Sequence, residues 1–206
     1  PALPAPPPPH HHVSLMASDD FFTFADVGSL LGTLDLVYID GMHQIEHALK
    51  DVMNVERHCH PGSIVIVDGI YPTHPVQAER HRRSRFWAGD VWKIIPILRG
   101  IRPDLVLLPI DTEPTGSLII IGLDPNNDAL WKGFDVVADI AISQMTEVHD
   151  EFLAREGALH PRDPLLQRIF ETLRDSRTGE VVPIDRVRSM VAGALPRTIA
   201  GVAQRT

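Results

Sequence analysis

The run Leu34-Asp35-Leu36-Val37-Tyr38-Ile39 is apolar almost throughout and stops abruptly at Asp40, Gly41 and, two residues on, His43. Such a run, bounded by a turn signal, predicts a strand buried on both faces of a parallel sheet. The spacing then changes. Ile45, Ala48, Leu49, Val52 and Met53 recur at the helical period, opposite Gln44, Glu46, His47, Lys50, Asp51 and Asn54, and predict an amphipathic helix. Pro61-Gly62 ends this unit, and Ser63-Ile64-Val65-Ile66-Val67-Asp68-Gly69 repeats the theme of a buried strand closing in Asp-Gly. Strand, helix and strand form a βαβ unit with the usual right-handed crossover. Ligands of open α/β sheets sit beyond the carboxyl ends of the strands, where Asp40, His43 and Asp68 fall.

Upstream, Val13–Ala17 reads as a short strand, and Ser18-Asp19-Asp20-Phe21-Phe22 as a cap and acidic first turn of a helix whose pattern Gly28 and Gly32 break. Residues 70–88 form an irregular polar loop. Gly89-Asp90 caps a short helix through Trp92 and Ile95, which Pro96 kinks or interrupts. Asp104–Asp111 and Ser117–Gly122 are strands joined by five residues, hence an antiparallel hairpin, and Pro109 assigns the first of them to a sheet edge. Beyond Asn127 helices are expected over 128–155, 165–174 and 184–194. The expected organisation is a Pro/His-rich connector over 1–12, a partial α/β domain over 13–125 and a helical extension over 126–206.

Composition narrows the class of protein. With 206 residues, 44% of them hydrophobic, the chain can bury a sizeable core. A net charge of -8 speaks against a nucleic-acid partner, and Arg80, Arg82, Arg83 and Arg85 read as a solvated face. The single cysteine, Cys59, leaves no disulfide framework, and no apolar run is long enough for a membrane span. A cytoplasmic protein is therefore expected. The tract Pro1-Ala2-Leu3-Pro4-Ala5-Pro6-Pro7-Pro8-Pro9 reads as an extended connector, with His10, His11 and His12 as loop residues after it.

Several of these pieces together resemble the carboxyl-terminal part of a class I S-adenosylmethionine-dependent methyltransferase, of the small bacterial group with an "IDG-x-H" signature. They are Leu34 to His43, Arg57-His58-Cys59-His60-Pro61-Gly62, Ile64 to Asp68, Gly89-Asp90-Val91-Trp92-Lys93 and the terminal hairpin, across roughly residues 13 to 124. The resemblance implies an α/β fold with a Rossmann-like methyltransferase sheet, mostly parallel, whose last strand is inserted antiparallel beside an edge strand. It implies S-adenosylmethionine as cofactor and a small-molecule acceptor, methylated on oxygen. In that family the donor is held by a glycine-rich loop after the first strand. No such loop follows a strand here, and the proline tract occupies the place just after the second family strand, so the chain reads as N-terminally truncated. A non-catalytic remnant or interaction module that has lost the donor site is the alternative. A nicotinamide-dependent oxidoreductase needs its own glycine fingerprint and gains nothing.

Methyl transfer requires a held donor, an aligned acceptor and often a base. The resemblance places Asp40 at the acceptor or a divalent metal, with Asp68 as partner, and two carboxylates at neighbouring strand ends suit a magnesium ion. Metal-binding relatives carry a third ligand where this chain has Gly69, and Asp40 has an alternative role as a helix cap. His43 is the general-base candidate because imidazole titrates near neutrality, and His74 is the second. Ser18, Asp19, Asp40 and Gly41 are the candidate cofactor contacts. His58, Cys59 and His60 have the look of zinc ligands but sit at a helix end with no fourth donor in range. Trp87 and Trp92 read as packing residues. The helix over 128–155 suits a homo-oligomer contact.

Overall fold

The structure is a computed structural model that describes residues 12–24, 26–175 and 184–194. All of the expected connector except His12 lies outside the described residues. Two short helices, α1 (Ser18–Phe24) and α2 (Val27–Leu31), lead into β1 (Leu34–Ile39), α3 (Ile45–Glu56) and β2 (Cys59–Asp68). A long loop with 3-10 turns at Pro75–Ala78 and Val91–Lys93 precedes α4 (Ile94–Ile101), β3 (Val106–Ile110) and β4 (Ser117–Ile121), followed by α5 (Ala129–Ser143), α6 (Asp150–Leu153), α7 (Pro164–Asp175) and α8 (Ile184–Ala194).

The four strands lie in the order β1-β2-β4-β3. β1 runs parallel to β2, while β4 is antiparallel to both of its neighbours, so β1, β2 and β3 share one direction. This is the expected Rossmann-like arrangement, with the last strand inserted antiparallel and Pro109 on the edge strand, where its missing N–H breaks no ladder. On one face Val65, Val67, Leu107, Leu118 and Ile120 meet α3, α4 and α5. The stripe Ile45, Ala48, Leu49, Val52 and Met53 is buried throughout. Each larger member contributes about 1.5–3 kcal/mol relative to exposure. On the other face Val106, Leu108, Ile110, Ile119 and Ile121 are covered by α7 and α8, through Leu165, Ile169 and Val187 among others.

Several expectations need correction. β1 is not buried on both faces: Leu36 and Tyr38 are 63% and 59% exposed. Helices α7 and α8 cover the β3–β4 half of that face and leave the β1 half open among the described residues. No strand forms over 13–17, where Leu15 and Met16 are exposed and no neighbouring strand supplies a ladder. Gly28 does not break a helix but lies inside α2, capped by Asp26, whose side chain accepts from Ser29 N. Pro61-Gly62 lies within β2 as an irregularity: Leu34 pairs with Cys59 but Leu36 with Ile64. Pro96 falls in the first turn of α4, where no intrahelical N–H is needed, so the helix continues. The helix expected over 128–155 is two, α5 and α6, because Met145 and Val148 turn in to pack on the core between them.

The polar flank of α3 is also less exposed than its pattern suggests, with Asp51, Asn54 and Glu56 all buried. Glu56 receives two hydrogen bonds from the buried Arg102 guanidinium, at 2.6 and 2.7 Å, and one from Asp124 N at 3.1 Å. Arg102 also meets Asp104 at 2.7 Å. This network ties the end of α3 to the turn before β3 and to the exit from β4.

Candidate functional site

β1 and β2 are parallel neighbours, so their carboxyl ends lie side by side, and the turns beyond them bring Asp40, His43 and Asp68 together. One ligand atom from each lies within 4.8 Å of the others. His43 Nε2 is 3.1 Å from Asp40 Oδ1 and 4.0 Å from Asp68 Oδ2. Asp40 is largely exposed, while the His43 and Asp68 side chains are mostly covered.

The environment fixes the imidazole. Its Nδ1 donates to the Trp87 carbonyl at 2.7 Å, since a carbonyl can only accept. Nδ1 thus carries a hydrogen, and Nε2 faces the two carboxylates, of which Asp40 Oδ1 at 3.1 Å can likewise only accept. The Trp87 ring stacks on the imidazole at 5.7 Å. Two glycines leave it room: a Cβ on Gly69 would lie 3.0 Å from the ring, and one on Gly89 would lie 1.6 Å from the His43 carbonyl oxygen. Both have positive φ, at 85° and 58°.

Asp68 is oriented from the neighbouring strand. Its register partner Ser117 donates to Oδ1 and Thr115 to Oδ2, each at 3.3 Å. The Tyr38 phenol is pushed above its ordinary value, first by burial and then by the Asp68 and Asp40 charges. Tyr38 was legible in principle, because two residues before Asp40 in a strand means the same face. Thr115, Ser117 and Trp87 had no such signal.

The carboxylate oxygens of Asp40 and Asp68 suit a divalent cation of the hard, oxygen-seeking kind, and the His43 nitrogen lies within 4.8 Å of both. His74 is engaged otherwise: it is exposed, and its Nδ1 accepts from Val76 N at the start of a 3-10 turn. The zinc look of residues 58–60 finds no cluster among the described residues. Cys59 is buried and its thiol pushed up to about 11, chiefly by burial, and His60 pairs with Asp35. Arg80, read as solvated, is half-buried and ion-paired with Glu46 and Asp90. Trp92 packs on Phe152 and His149 as expected.

Ser18, Asp19 and Gly41 gather around Asp51 of α3. A Cβ on Gly41 would lie 3.5 Å from Asp51 Oδ2, and Lys50 Nζ pairs with Asp19 at 2.9 Å. Asp19 Oδ1 and Asp51 Oδ1 are buried without a hydrogen-bond partner. Burial, joined by the Asp19 charge, holds the Asp51 carboxyl above its ordinary value, against a hydrogen bond from Ser18. Because the folded state holds this proton more tightly than the unfolded chain, stability falls as pH rises from about 4 toward the folded value, and stays lower above it. Asp51→Asn is expected to raise stability at pH 7 by about 1 kcal/mol. Thermal melts at pH 7 and pH 4 check this: the gain shrinks at the lower pH, and a loss at pH 7 refutes it.

No helix among the described residues is long and apolar enough to cross a membrane. No curated protein and no solved structure matches the chain. Residues 6–70 match the family described as a methyltransferase domain, a span that includes β1, α3, β2 and the residues Asp40, His43 and Asp68. The α/β unit that carries the cluster thus lies in a stretch similar to a methyltransferase domain.

Proposed function

We propose that the protein transfers a methyl group from S-adenosylmethionine to an oxygen of a small-molecule acceptor. The observation that carries this reading is the meeting of Asp40, His43 and Asp68 at adjacent parallel strand ends, inside the stretch that matches a methyltransferase domain. S-adenosylmethionine supplies an electrophilic methyl on a sulfonium. The acceptor oxygens of Ser18 and Asp19, beside Gly41, fit the amino and hydroxyl groups of its adenosine. Asp40, the most exposed member of the trio, meets the acceptor. His43, in the form that carries its hydrogen on Nδ1 alone, takes the acceptor's proton on Nε2, so that the oxygen attacks the methyl carbon as an alkoxide-like nucleophile and S-adenosylhomocysteine leaves. Asp68, held by Ser117 and Thr115, stabilises the imidazolium that forms. A divalent cation such as magnesium would be held by Asp40 and Asp68 and would supply polarisation of the acceptor oxygen.

Isothermal titration with S-adenosylhomocysteine tests the reading. Saturable binding by the folded protein is the expected result. Absence of heat with the near-ultraviolet circular dichroism of a packed core intact overturns it.

A further inference from the structure

The loop between β2 and α4 is strapped to the turn that carries His43 at several independent points. Asp90, almost wholly buried, accepts from Ile45 N at 2.9 Å and so caps α3 rather than the turn it precedes. Its other oxygen receives Arg80 Nη1 at 2.7 Å and Lys93 Nζ at 2.9 Å. Arg80 reaches on to Glu46, with contacts of 2.9 and 2.5 Å, and its own carbonyl accepts from Gln44 Nε2 at 3.3 Å. Burial works against the Glu46 charge, but the hydrogen bonds from Arg80 outweigh it and hold the carboxyl below its ordinary value. One guanidinium therefore joins the first turn of α3 to both ends of the 80–90 loop, and Trp87 lies between those ends.

We propose that Arg80 and Asp90 are positioning residues for His43: their ion pair, anchored on Glu46 and the α3 N-terminus, holds the Trp87 carbonyl against Nδ1 and so keeps Nε2 aimed at Asp40 and Asp68. Neither residue touches the cluster itself. The geometry explains why a charged network is buried here. The imidazole could rotate, or carry its hydrogen on the other nitrogen, if the loop carbonyl moved by an ångström, because hydrogen bonds weaken steeply with distance and angle. Gly89 completes the clamp, since any side chain there would displace the His43 carbonyl. A fork that binds Glu46 and Asp90 at once is a task for arginine and not for the point charge of lysine.

The inference rests on reading His43 as the base, but its test does not need turnover. Long-range proton–nitrogen correlation spectra of the protein, at a pH where the ring is neutral, report which His43 nitrogen carries the hydrogen. The Trp87 carbonyl favours the Nδ1–H form and the Asp40 carboxylate the other, so the ratio reads how firmly the carbonyl is held. In Arg80→Met the ratio of the two tautomers is expected to shift about tenfold toward Nε2–H, the consequence of losing one good hydrogen bond. A folded Arg80→Met protein whose tautomer ratio is unchanged overturns the proposal, whatever its melting point. Should Arg80→Met not fold, Glu46→Gln decides, since it loosens the anchor at a half-covered helix turn. An about threefold shift in the same direction supports the proposal, and no shift overturns it. Failure to bind S-adenosylhomocysteine would strike the methyltransferase reading alone and leave the tautomer result standing.

Discussion

Glu56→Ala is expected to lower the unfolding free energy by about 3–5 kcal/mol, because it leaves a buried arginine without its main counter-charge. Arg102 and Glu56 are 1% and 2% exposed, so the guanidinium left behind stays largely desolvated. Asp104, the other partner, is part-exposed, and its carboxyl lies below the ordinary range because the Arg102 hydrogen bonds outweigh the burial that opposes them. It cannot also satisfy Nη1, and Asp124 N loses its acceptor at the same time. Set against a typical total of about 5–15 kcal/mol, the loss is large. Urea unfolding of Glu56→Ala, Arg102→Met and the double variant checks the claim. The double variant should be more stable than the sum of the singles requires, because it removes both charges together. A Glu56→Ala loss below about 1 kcal/mol would refute it, that being the range of exposed ion pairs.

His43→Ala is expected to reduce methyl transfer about 10²–10⁴-fold, mainly in kcat, with the acceptor's KM little changed. The alanine removes the group proposed to take the proton while Asp40 and Asp68 stay in place. Its cost in stability is of the order of 1 kcal/mol, the value of one hydrogen bond to the Trp87 carbonyl. S-adenosylhomocysteine release, followed from acid to alkaline pH, checks it. Unchanged turnover across that range removes His43 from the chemistry and leaves it as the donor to Trp87.

Much of the α/β unit was legible from periodicity. The abrupt stop of the apolar run at Asp40, the stripe from Ile45 to Met53 and the second strand ending at Asp68 are local signals, and each was realised. The hairpin followed from a five-residue link and its edge from Pro109. The errors share one cause. Burial on both faces of β1, the break at Gly28, the turn at Pro61-Gly62 and the interruption at Pro96 were inferred from residue type alone. Whether a glycine or proline ends an element depends on which backbone groups have partners, and that is decided by neighbours. Likewise Asp51, Asn54 and Glu56 carry a polar pattern, yet α1 and α5 pack over their flank.

The candidate site divides the same way. Asp40, His43 and Asp68 could be selected from the chain because strand ends in an α/β sheet are marked by where an apolar run stops. That Nε2, and not Nδ1, faces the carboxylates could not, since it depends on a carbonyl 44 residues away. Nor could the ion pairing of Arg80, whose partners Glu46 and Asp90 lie on different elements. By itself the sequence determined the elements of the βαβ unit, the antiparallel hairpin and the acid–imidazole pair after the first strand, because these rest on short-range periodicity and turn chemistry. Only the tertiary structure decided the orientation of the His43 ring, the burial of the Glu56–Arg102 pair and the seating of α7 and α8 on the second face. Those depend on contacts between residues far apart in the chain, and hydrophobic period carries no record of which distant partner a polar group will meet.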